Sequence, residues 1–188
     1  MPRYRVLIGV CLVAFVSIAY GAWQYYGQLQ TDGDVKNISA NPAPNFSLND
    51  INGTQFSLSQ HSGDVIVLHF MAVGCGGQIS PINDYQLSQL ETVCNNYCGR
   101  KAVKIVSVVV ATCPSSDLAQ IRINKSITWI LGNDYDDGKI DIIDAYTSYL
   151  IEDGTIILVD KMLNVAQVYI EAVTADTLSF KIDQLLGA

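Results

Sequence analysis

Positive charge is scarce in this chain: 11 lysines and arginines stand against 18 acidic residues, a formal net charge of −7. A nucleic acid or an anionic lipid surface needs a cationic footprint, so this balance excludes the first as a partner and argues against the second. Histidine is scarcer still, with only His61 and His69. His69, Met71 and Cys75 follow one another along one segment and begin to look like copper ligands, but the second cysteine and later histidine needed to complete such a site are missing. Of the five cysteines, Cys94 and Cys98 offer two thiols where a structural metal takes four ligands. No metal or other cofactor is expected. No repeat or low-complexity tract is present, which excludes solenoids and arrays.

Long apolar runs are present in one place above all. Arg3 and Arg5 precede VLIGVCLVAFVSIAYGAW, residues 6–23, and no charge follows until Asp32. At a rise of about 1.5 Å per residue this run is about 27 Å long, close to the thickness of a bilayer's hydrocarbon core. Trp23, Tyr25 and Tyr26 fall where an interfacial aromatic belt would lie, and the two arginines set the N-terminus inside. Residues 1–26 are therefore expected to form a single-pass membrane anchor, with the remainder on the extracytoplasmic side of the cell membrane. A cleavable signal peptide is the rival reading, because Ala19-Tyr20-Gly21 has the small-x-small form of a cleavage site. Cys11 lies within the apolar run and reads as a membrane-facing residue. Export would place Cys75, Cys94, Cys98 and Cys113 where disulfides persist, and four cysteines allow three pairings. The sequons at Asn37, Asn45, Asn52 and Asn124 are compatible with that location.

Residues 27–42 are polar and rich in Gly, Asn and Pro, the composition of a flexible linker. From residue 43 the pattern becomes regular. Phe46 and Leu48 alternate on one side of Asn52-Gly53, Phe56 and Leu58 on the other, which reads as a β-hairpin. DVIVLHFMAV and AVKIVSVVVAT are continuous apolar runs, the mark of strands buried on both faces. Ile82, Tyr85, Leu87, Leu90 and Val93 recur at helical spacing from Ser80 to Tyr97, and PSSDLAQIRI reads as a short capped helix. ITWILGN reads as a strand and GKIDIIDAYTSY as a helix. TIILVD and NVAQVYIE read as a strand pair, and TADTLSFKIDQLL as an amphipathic helix capped by Thr174. This order gives an α/β sandwich around a mixed sheet. NDYDDGKIDIID, residues 133–144, invites comparison with a calcium loop, but Tyr135 stands where an oxygen ligand is needed, so it reads as a solvated acidic turn.

The order of elements and the stretch PAPNFSLNDINGTQFSLSQHSGDVIVLHFMAVGC resemble the thioredoxin fold, and more narrowly the membrane-anchored TlpA/ResA-like redoxin group related to AhpC/TSA peroxiredoxins. Ala43, Pro44, Phe46, Leu48, Asp50, Gly53 and Leu58 match the opening hairpin of that group. Val67, Phe70, Ala72 and Cys75 match its active-site strand, and Leu158, Val159 and Asp160 its closing strand. The resemblance covers residues 43–188 and implies a thioredoxin-like domain with a redox-active cysteine at Cys75. The chain departs from the group's motif where the chemistry lies. Gln78 replaces the second cysteine, Gly74 the preceding tryptophan, and Gly154 the cis-proline. Ala72 replaces the threonine a peroxiredoxin carries.

On this resemblance Cys75 belongs at the N-terminal end of the first long helix, where backbone N–H groups and the helix dipole favour a thiolate. Cys113 ends the adjacent parallel strand and is the candidate resolving thiol, against two independent thiols or a permanent bridge. Cys94 and Cys98 fall at the opposite pole and are expected to pair as a structural staple. Gln78 either bonds the Cys75 sulfur or faces solvent. The implied function is thiol–disulfide exchange with protein thiols or disulfides through a mixed disulfide. The alternatives are a non-catalytic thioredoxin-fold binding module and a peroxiredoxin-like peroxide reductase.

Overall fold

The computed structural model describes residues 35–36, 41–111, 115–136 and 139–187. The expected membrane anchor, Cys11 and Cys113 all lie outside them. Among the described residues no helix is long and apolar enough to cross a membrane.

The sheet is organised around β5 (Val65–Gly74), whose run of apolar residues is buried on both faces. β7 (Val103–Val110) lies parallel to it, with Val65 opposite Val103 and Ala72 opposite Val110, and β8 (Ile130–Asn133) lies parallel to β7. On the other flank β11 (Ile156–Val159) runs antiparallel to β5, and β12 (Asn164–Tyr169) antiparallel to β11. Two short strands, β1 (Val35–Lys36) and β2 (Asn41–Pro42), both pair with β12. They fall within the segment whose composition reads as a linker. The remaining small pieces are the hairpin β3 (Ser47–Asn49) and β4 (Gln55–Ser57), the strand β6 (Gln78–Ile79) that folds back on β5, and the ribbon β9 (Tyr135–Asp136) with β10 (Lys139–Ile140).

Alternation along β5 builds two cores. Val65, Val67 and Met71 face the helices α1 (Pro81–Tyr97), α2 (Ser115–Asn124) and α4 (Ala175–Gly187), packing with Leu87, Leu90, Leu118, Leu178 and Ile182. Ile66, Leu68 and Phe70 face the other way, against Phe46, Phe56, Leu58 and Tyr146 of the β3–β4 hairpin and α3 (Asp141–Tyr146). A period of two with both faces covered explains why the run is continuously apolar. Caps fix the helix starts. Ser80 Oγ accepts from the Asn83 N–H, with Pro81 in the first turn, and Thr174 Oγ1 accepts from the Thr177 N–H, as its position predicts.

The β3–β4 hairpin is seated on β8 by a tight contact. Asp50 bridges to Gly132, and a Cβ on Gly132 would stand 2.5 Å from Leu48 Cγ and 2.6 Å from the Asn49 carbonyl oxygen. Only glycine fits there. Asp50 then gathers four partners: both guanidinium nitrogens Nη1 and Nη2 of Arg122, the Leu131 N–H at 2.9 Å and the Asn52 N–H at 3.0 Å. Burial alone would raise its pKa, but the Arg122 hydrogen bond and the two backbone donors hold it below the usual carboxylate range.

Candidate functional site

β5 ends at Gly74, and the chain turns through Cys75, Gly76 and Gly77 before returning as β6, with Val73 opposite Ile79 and Gly74 opposite Gln78. A three-residue loop this tight needs left-handed backbone, supplied by Gly76 (φ +78°) and Gly77 (φ +72°). The loop is fastened to α2. The Gly76 N–H donates to Asp117 Oδ2 at 2.8 Å, and a Cβ on Gly77 would lie 3.5 Å from Ile121 Cγ1. Cys75 sits at the tip, exposed and disulfide-bonded. Cys94 and Cys98 are bonded to each other, so neither is its partner. The other two cysteines, Cys11 and Cys113, lie outside the described residues. Gln78 is exposed, with its side chain beside Gly74.

This placement corrects one expectation. Cys75 is not at the N-terminus of the first long helix: α1 begins at Pro81, six residues on, with β6 and the Ser80 cap between. The dipole of α1 acts at Ser80. The charged side chain bonded to the cysteine loop is Asp117, in the first turn of α2. The signal was present in the sequence, since Ser80-Pro81 is a helix-start pair and the glycines either side of Cys75 are turn residues.

Beneath the loop lies a buried polar cluster. His69 is fully buried on the α1 face of β5 and sits opposite Ser107 of β7. The Trp129 indole N–H donates to Ser107 Oγ at 2.9 Å, which leaves the Ser107 hydroxyl proton for His69 Nδ1 at 3.3 Å. On the other side stand Asn83 and Gln86 of α1, also fully buried. Asn83 Nδ2 donates to Asp153 Oδ1, which also accepts the Ala72 N–H at 2.7 Å. Gln86 Nε2 donates to the Gly154 carbonyl at 3.2 Å. His69 Nε2 and Asn83 Oδ1 are buried without a hydrogen-bond partner. Burial drives the His69 pKa down to about 4, against the opposing pull of Asn83 and the Asp153 carboxylate. His69 reads from sequence as a buried core residue, and it is one. The rest of the cluster was missed, although the Leu87, Leu90, Val93 stripe extended backward lands on Asn83 and Gln86. At the position the resemblance gives to a cis-proline, Gly154 has φ +91°, and no cis peptide bond occurs among the described residues.

Two other sequence features resolve plainly. Cys94 and Cys98 form a disulfide with their Cα atoms 4.7 Å apart, where α1 ends and Cys98 leaves helical geometry. In the acidic turn, Asp134 accepts from the Ile142 and Ile143 N–H groups and so caps α3. Among the described residues no group of three or more His, Cys, Asp or Glu side chains is placed to hold a metal.

No protein-family model and no curated protein matches the sequence. Solved structures do. The thioredoxin domain of a thiol-disulfide oxidoreductase from Bacteroides vulgatus aligns at a TM-score of 0.65 and 17% identity, covering 79% of this chain and 99% of that one. A thiol:disulfide interchange protein of the thioredoxin family from Chlorobium tepidum aligns at 0.61 and 20% identity, covering 81% and 100%. A secreted thiol-disulfide isomerase from Corynebacterium glutamicum aligns at 0.67 and 15% identity, covering 82% and 92%. With a mixed sheet, helices on both faces and these likenesses, the chain has the thioredoxin-like fold that its sequence resemblance implied.

Proposed function

We propose that the protein is a membrane-anchored, extracytoplasmic thiol–disulfide exchange protein working through Cys75, with Cys113 as resolving thiol and protein thiols or disulfides as partners. The observation that carries this reading is an exposed, disulfide-bonded cysteine at the tip of a hairpin, at the C-terminal edge of the sheet. Three further points support it. Ala72 and Val110 are register partners on parallel neighbouring strands, and Cys75 and Cys113 each lie three residues beyond them in sequence. Cys94 and Cys98 are already paired with each other. The solved structures of the same fold include thiol-disulfide oxidoreductases. A partner thiolate attacks one sulfur of the Cys75 disulfide, a mixed disulfide forms, and the displaced thiolate leaves. The reverse sequence oxidises a partner dithiol. Gln78, exposed beside Gly74, would contact an incoming chain.

The test is exchange with a disulfide-linked peptide by the full chain, its Cys75→Ser variant and its Cys113→Ser variant. Exchange is expected to disappear with Cys75→Ser, while Cys113→Ser accumulates a mixed disulfide on Cys75. Unchanged exchange in Cys75→Ser contradicts the reading. One observation favours the rival, a non-catalytic binding module: Gln78 stands where the resemblance places a second cysteine. That rival predicts no exchange in any form of the chain and partner binding that survives Cys75→Ser.

A further inference from the structure

A cavity of about 540 Å³ opens beside the first residues of β7, Val103–Ile105, and the Cys94–Cys98 disulfide forms part of its wall. The bridge closes a ring of only a few residues at the end of one helix. Constraint of the unfolded chain grows with the size of the closed loop, so this bridge is a weak staple for its chemistry. Its two sulfurs are unequally placed. Cys94 is buried and its sulfur lies 3.6 Å from the Thr128 hydroxyl, whereas Cys98 is half-buried.

Charge is unusual here as well. In a chain of net charge −7, the cavity wall carries Lys104 beside Arg122, and the one carboxylate there, Asp50, is already paired with Arg122. Arg100 and Lys101 follow the disulfide directly in sequence, Lys101 being paired with Asp183. A helix C-terminus is the negative end of its dipole and disfavours a thiolate, so cations nearby are what an openable bridge at this place requires.

We propose that Cys94–Cys98 is a second thiol–disulfide centre, opened by a small anionic thiol that enters this cavity. The thiolate of that molecule attacks the Cys98 sulfur and forms a mixed disulfide. The Cys94–Cys98 bond breaks, and Cys94 leaves as a thiolate that accepts a hydrogen bond from Thr128 and is then protonated from water. A second molecule of the small thiol attacks the sulfur of the first, which releases the oxidised small disulfide and leaves Cys98 reduced. Two thiols are oxidised for one bridge reduced, and the electrons balance. This centre is separate from Cys75 and does not depend on it.

The oxidised full chain is incubated in turn with 3-mercaptopropionate, 2-mercaptoethanol and cysteamine, which are anionic, neutral and cationic. Samples are quenched in acid and each cysteine is read by differential alkylation and peptide mass spectrometry. With rates corrected for each reagent's thiolate fraction, the anionic thiol is expected to open the bridge about tenfold faster than the cationic one. The adduct is expected on Cys98, and Lys104→Glu, a change at an exposed position, should abolish the preference. A bridge that opens only after denaturation overturns the proposal, as do an adduct on Cys94 or equal corrected rates for the three reagents. Because Cys75 is read as a separate peptide, failure here is distinguishable from failure at Cys75.

Discussion

His69 is a neutral imidazole inside the sheet, and neutrality has a consequence for stability. Its pKa falls from the ordinary 6.5 to about 4 on burial, so between those values the unfolded chain binds more protons than the folded one. Stability from this residue is complete above pH about 6.5 and is lost as the pH falls toward 4, by ~3 kcal/mol across the window. Chemical denaturation at a series of pH values should show that loss in the wild type and its absence in His69→Leu, whatever the variant's stability at neutral pH. Parallel pH profiles for the two proteins contradict the assignment. The same scale governs the Cys75 loop, where Asp117 accepts from the Gly76 N–H. Asp117→Asn weakens that bond and is expected to speed alkylation of reduced Cys75 at pH 7. A slower or unchanged reaction shows that Asp117 does not fasten the loop.

At the scale of elements, the β3–β4 hairpin is held by a backbone contact and by one buried ion pair. Gly132→Ala must push the hairpin off β8, since its methyl would overlap Leu48 and the Asn49 carbonyl, and a loss of about 3 kcal/mol is expected by analogy with overpacked cores. Arg122→Ala strands the buried Asp50 carboxylate and should cost about 3 to 5 kcal/mol. Urea denaturation measures both, and a loss below about 1 kcal/mol for either removes the hairpin's claimed anchor. The long elements were readable in the sequence because their signals are strong. The apolar runs at 64–73 and 102–112 announce the central strands β5 and β7, Thr174 caps the last helix, and Asn52-Gly53 turns the hairpin. The short elements were not. β6 is two residues long and has no periodicity of its own, and β9–β10 took residues that read as an acidic turn and the start of a helix. Cys75 was misplaced for the same reason: a two-residue strand intervenes between it and α1. The polar cluster was hidden because Asn83 and Gln86 occupy core positions, where an apolar stripe is the signal sought.

At the scale of the molecule, fold and activity separate. The hydrophobic alternation that builds two cores on one sheet is spread over the whole domain and identifies the fold in sequence and in structure. The proposed activity rests on one loop, where Cys75 is present and Gln78 stands at the place of a second motif cysteine. The chain's net charge of −7 and its apolar N-terminal run are the grounds for the proposed tethering of the domain outside the membrane, with protein partners. The account stands on whether the Cys75 disulfide is a working bond. Equilibrating the full chain in glutathione buffers of stepped potential, then reading Cys75 by differential alkylation and peptide mass spectrometry, tests that most directly. The native protein is expected to show a reversible transition at Cys75 between reduced and bonded forms. A Cys75 bond that stays closed at every potential until the chain is unfolded would contradict it.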